Sequence, residues 1–177
     1  MIDVKKTQEW WKSVLSDEVK LEAFLRKLEH TEYSGYDEHM LFIANNRLTD
    51  RQFKILDQIA LDELKHSEAL IAVMSGRGMV WKPYEGKVSV YWETVLQDCT
   101  SYTDYCAANY YGEALACERF KIMLDMPETP EDIKDFLRLA LPDETFHRIT
   151  LKNEAGEVAL ARLKILDERA KKLVLGY

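Results

Sequence analysis

The chain has 177 residues, of which 47% are hydrophobic and 31% charged, and its net charge is −7. That length suits one domain with a real core. The acidic balance, without a basic tract, argues against a nucleic-acid partner, and no apolar run approaches the roughly 20 residues that a membrane span needs.

The N-terminus, MIDVKKTQEWWKSVL, is too polar for a signal peptide. Residues 3–15 suggest a short amphipathic helix carrying Trp10 and Trp11. Ser16-Asp17 offers a cap for a long helix that runs to about Asn46 through Leu21, Leu25, Leu28, Met40 and Ile43. NNRLTD (45–50) reads as a turn, with Thr49 or Asp50 capping a helix that runs to about Ser75. SGRG (75–78) ends that helix, and GRGMVWKPYEGKV (76–88) reads as an irregular connection. A third long helix is expected from Ser89 to Asp125. Its inward positions include Cys99, Cys106, Asn109, Glu113 and Cys117. PETPED (127–132) breaks the chain, with Thr129 as cap and Pro130 in the first turn of a fourth helix that runs towards Lys172.

The three cysteines include no C-x-x-C pair. A disulfide framework and a zinc or rubredoxin-type knuckle are therefore not expected, and the setting is expected to be reducing and cytoplasmic. Two short turns and one longer connection describe an all-α, four-helix bundle of two antiparallel hairpins (17–75 and 89–172) joined by a crossover (76–88). Thirteen irregular residues reach about 43 Å, enough to run the length of such a bundle. On that reading the first and third long helices point the same way, and 1–177 is a single domain.

Glu32, Glu63 and His66 recur at one fixed offset as Glu113, Glu144 and His147. DELKHSEAL (62–70) lies over DETFHRITL (143–151) at the same offset. Residues three apart share a helix face, so Glu63 projects with His66, and Glu144 with His147. Glu32 and Glu63 stand almost equally far from the first turn, as Glu113 and Glu144 do from the second. All six can therefore meet in one layer. Four buried carboxylates need compensation, which two divalent ions supply, and oxygen and imidazole donors suit Fe(II), with Mn(II) as the alternative. Asp62 and Asp143 precede the paired glutamates and can each accept the second ring N–H of a histidine. Glu29 sits at the edge of the inward stripe and is the weaker candidate. Surface Glu–His pairs would not explain why three ligand types repeat at one offset on apolar faces.

The paired D-E-x-x-H motifs, each preceded by a helix bearing one Glu, resemble the ferritin-like superfamily of di-iron carboxylate proteins. The resemblance covers roughly residues 17–172 and implies that Glu32, Glu63, His66, Glu113, Glu144 and His147 bind two irons per chain. Rubrerythrins usually carry a further Glu where this chain has Ala116. Bacterioferritins bind haem through a Met where this chain has Leu64, so no haem is expected. Typical ferritins lack the second ligand histidine. The resemblance implies a non-haem di-iron oxidoreductase that activates O2 or H2O2, either a rubrerythrin-like peroxidase or an oxygenase of a small substrate. The alternatives are a ferroxidase and iron-storage subunit, or a non-catalytic metal-binding helical interaction module. An electron-donor protein and a homodimer or larger homo-oligomer are the expected partners. Tyr36, His39 and Tyr110 are candidates for a redox relay or an entry channel, although packing is the commoner role for such residues.

Overall fold

The computed structural model describes residues 2–86, 95 and 99–175. Among them are five helices and no strand: α1 (Val4–Leu15), α2 (Glu18–Asn45), α3 (Asp50–Gly76), α4 (Tyr102–Asp125) and α5 (Glu131–Leu175). None of the described helices is long and apolar enough to cross a membrane. The chain divides into two compact units. One comprises Ile2–Glu85 and Arg119–Asp143, the other Gly86–Glu118 and Glu144–Tyr177.

In the first unit the expected helix starts are present as side-chain caps. Asp3 accepts the Lys6 N–H, and Asp17 accepts those of Val19 and Lys20. Thr49 and Gln52 form a reciprocal capping box at α3. Capping absorbs backbone donors that the first turn of a helix cannot satisfy. α2 has 28 residues and α3 has 27, so both arms of the hairpin are about 40 Å long. α3 ends where Gly78 takes a φ of 73°. The Met79 N–H then reaches back to the Met74 carbonyl, a closure that favours glycine.

The apolar core of this unit joins the start of α2 (Leu21, Leu25), the end of α3 (Leu70, Met74), and the turn between α4 and α5 (Met123, Ile133). α3 and α4 therefore end in one cluster, where α2 begins. The segment after α3 lies along α2. Arg26 on α2 donates to the Val80 carbonyl, and the His30 ring lies 5.2 Å from that of Tyr84.

α1 closes the same end. Trp11 is fully buried and donates from Nε1 to the Thr129 hydroxyl at 2.8 Å. That hydroxyl donates in turn to the Met123 carbonyl. Thr129 therefore does not cap the last helix, as its position in the sequence suggests, because its hydroxyl is committed to the core. The Pro130 carbonyl accepts the Lys134 N–H and opens α5 instead. Arg77 grips Asp132 through two nitrogens at 2.6 Å each and ties the end of α3 to the first turn of α5.

The second unit corrects the expected start of the third long helix. Ser89 itself lies outside the described residues, but 99–101 are not helical, and α4 begins at Tyr102. The cause is a polar stop. The Ser101 hydroxyl accepts the Asp104 N–H, while the Asp104 carboxylate accepts the N–H and hydroxyl of Thr100 and pairs with Arg162. Burial works against the Asp104 charge, yet Arg162, Ser101 and Thr100 outweigh it and hold the carboxyl at about 2. α5 is also not one continuous helix. Gly156 has φ 70° and ψ 165°, a conformation reserved for glycine. Pro142 lies within the helix and cannot donate to the carbonyl of Arg138.

A carboxyl held below its unfolded value stabilises the fold above that value and loses the contribution as pH falls through the folded one. Asp104→Asn is therefore expected to lower the unfolding free energy by about 2 kcal/mol at pH 7. In urea titrations the gap to the parent protein should close between about pH 4 and pH 2.

Candidate metal centre

Each unit holds one glutamate–glutamate–histidine triad. In the first, Glu32 comes from α2, and Glu63 and His66 from α3. All three are buried. Each offers one donor atom within 4.8 Å of the others. The two α3 residues share a face because they are three apart. Glu32 meets them because the hairpin arms are of equal length.

In the second unit Glu113 comes from α4, and Glu144 and His147 from α5. Their donor atoms satisfy the same limit. Glu144 and His147 are buried, and Glu113 is half-buried. The structure thus assembles the six residues picked out by the fixed-offset repeat as two sets of three, each within its own unit.

The His66 ring is held from both sides. Nε2 lies 3.3 Å from Asp143 Oδ2, and Nδ1 lies 3.2 Å from Glu32 Oε2. Burial tends to raise the Asp143 carboxyl, but Lys65 at 2.8 Å and the His66 ring overcome that and keep it below the ordinary carboxylate range. Asp143 is therefore an anion at neutral pH and can only accept, so His66 Nε2 donates to it. In a neutral ring Nδ1 then presents a lone pair to the Glu32 carboxylate. Two acceptors this close repel unless a proton or a cation lies between them. His147 repeats the arrangement more loosely, with Nδ1 3.8 Å from Glu113 Oε1.

The donor set fits a divalent transition metal. Imidazole nitrogen and carboxylate oxygen bind such ions at about 2.0–2.2 Å, which places ligand atoms on one ion roughly 3–4 Å apart. No thiolate takes part. Cys106 is fully buried, and burial pushes its thiol up to about 12 despite the Tyr102 hydroxyl, so it remains a protonated core side chain.

Asp143, one of the two aspartates expected behind the histidines, grips His66, and Asp62 accepts from Gln58 at 3.1 Å. His39 is buried on α2, two turns beyond Glu32. Tyr36 is half-buried beside Tyr33, with ring centres 6.0 Å apart, and Tyr110 is half-buried beside Tyr111, at 5.0 Å. Glu29, the weaker candidate, is buried and accepts from the Ser67 hydroxyl at 3.0 Å. It completes neither triad. Sequence reasoning passed over Gly35. An added Cβ there would fall 3.2 Å from Glu63 Oε2, and the available signal was a glycine in the middle of a helix.

Comparison with protein-family models, curated proteins and solved structures returned no match.

The Asp143 contact sets the His66 tautomer. Long-range 1H–15N correlation spectra of the metal-free protein at pH 7 should show His66 protonated at Nε2. In Asp143→Ala the same ring should populate both tautomers. An unchanged pattern would show that Asp143 does not orient the ring.

Proposed function

We propose that the chain is a ferritin-like, non-haem di-iron oxidoreductase in which each triad binds one iron. The observation that carries this reading is the His66 clamp. A buried imidazole fixed at Nε2 by an aspartate, with Nδ1 turned towards a buried glutamate, is arranged for a cation. His147 and Glu113 repeat the pairing at the equivalent positions of the second half. Asp143 and Glu144 are consecutive, so the residue that orients His66 adjoins a ligand of the other triad.

Glu32, Glu63 and His66 would hold one ion, and Glu113, Glu144 and His147 the other. Two divalent charges balance the four carboxylates. The bound metals would supply the redox equivalents for reaction with O2 or H2O2. The protein's own residues do the remaining work. Asp143 keeps Nε2 protonated and the Nδ1 lone pair directed inwards. Burial of Glu32, Glu63, His66, Glu144 and His147 strengthens each charge interaction there. The carboxylates neutralise charge and orient the ions. A rubrerythrin-like peroxidase or small-substrate oxygenase is the preferred activity, with an electron-donor protein as partner. A ferroxidase subunit is the alternative, because that activity would use the same ligands.

Protein purified without added iron and then loaded anaerobically with Fe(II) is expected to bind two ions per chain. His66→Ala and His147→Ala should each lose about one, and oxidation by H2O2 should outpace oxidation by O2. Fewer than one ion per chain in the parent protein would refute the reading. A very large assembly on size exclusion, with faster oxidation by O2, would favour the ferroxidase.

A further inference from the structure

Glycine is among the poorest helix formers, yet Gly35 lies in the interior of α2, one turn beyond Glu32. Its position is explained by α3. A Cβ at Gly35 would lie 3.2 Å from Glu63 Oε2, 3.3 Å from Cδ and 3.4 Å from Cγ. The contacts to Oε2 and Cδ are tighter than a relaxed one, so alanine fits only if the Glu63 side chain withdraws by a few tenths of an ångström. The Glu63 carboxylate thus packs against the bare backbone of α2. The equivalent position in the second half is Ala116, which carries the methyl group that Gly35 lacks. The repeat that duplicates the ligands does not duplicate this residue.

We propose that Gly35 is a positioning residue for the Glu63 carboxylate, and that the Gly35/Ala116 difference makes the two metal-binding halves unequal. This rests on the di-iron reading above. Gly35 touches no metal. It admits the carboxylate to a place that any side chain would occupy. Replacing it has two effects of opposite sign. Alanine favours the helix and restricts the unfolded chain, which stabilises the metal-free protein. The same methyl displaces a ligand, and shifts of that kind typically reduce metal affinity by about ten-fold or more.

Co(II) titration of the full chain, followed by its ligand-field absorption, tests the proposal. The parent protein should bind two equivalents. Gly35→Ala should bind one of them about ten-fold more weakly, with the thermal midpoint of the metal-free protein unchanged or raised. Gly76→Ala is the control, because a Cβ there meets nothing within 4 Å, and it should bind as the parent does. In a Glu63→Ala background, Gly35→Ala should leave the remaining Co(II) affinity unaltered, since the displaced carboxylate is gone. Three results would overturn the proposal: parent-like binding of both equivalents by Gly35→Ala, weakening that only tracks a loss of metal-free stability, or an effect that persists without Glu63. If the parent protein binds no Co(II), the di-iron reading fails and takes this proposal with it. If the parent binds two and Gly35→Ala matches it, this proposal alone fails.

Discussion

Carboxylates and imidazoles are placed where little water reaches them, and most of the architecture follows from that placement. A buried anion costs several kcal/mol unless it is paired, hydrogen-bonded or bound to a cation. The chain meets this demand twice, with one histidine among two glutamates in each unit. Long helices suit the task because every backbone polar group in their interior is already satisfied, which leaves the side chains free to serve the site. The caps at Asp17 and Thr49, the Trp11–Thr129 bond and the Arg77–Asp132 clamp hold the helix ends at fixed heights. A shift of one residue would rotate a ligand by about 100° around its helix and break a triad.

The His66 ring shows how the surroundings convert a ligand type into a ligand geometry. Lys65 and His66 stabilise the Asp143 anion against burial, and the anion then determines which ring nitrogen carries the proton. In a neutral ring the Nδ1 lone pair then faces Glu32. His147 and Glu113 lie further apart, so the two triads share composition without sharing dimensions. The looser pair and the methyl of Ala116 belong to the same half of the chain.

On the function proposed above, substrate selection would arise where the halves differ, since the repeated triads are the same in both. Tyr36 stands against Cys117, His39 against Phe120, Leu28 against Asn109 and Gly35 against Ala116. Each exchange alters polarity or volume close to a ligand along a helix. The buried Glu29–Ser67 pair has no like counterpart either, because the equivalent positions of the second half hold Tyr110 and Arg148.

Much of this was legible in the chain. Helical periodicity, turn chemistry and the fixed offset between the two D-E-x-x-H motifs can all be read along the sequence itself. They identified α1, α2, α3, the breaks around 46–49 and 126–130, and all six members of the triads. Contacts between distant residues decided the rest. α4 starts at Tyr102 because Arg162 stabilises Asp104 in the cap. Thr129 is drawn from capping into the core by Trp11, and the end of α4 joins the cluster where α2 begins and α3 ends. A local pattern states which side chains share a face. Only packing brings that face against another, and so only the tertiary structure could give His66 its tautomer, Asp143 its role and Gly35 its reason.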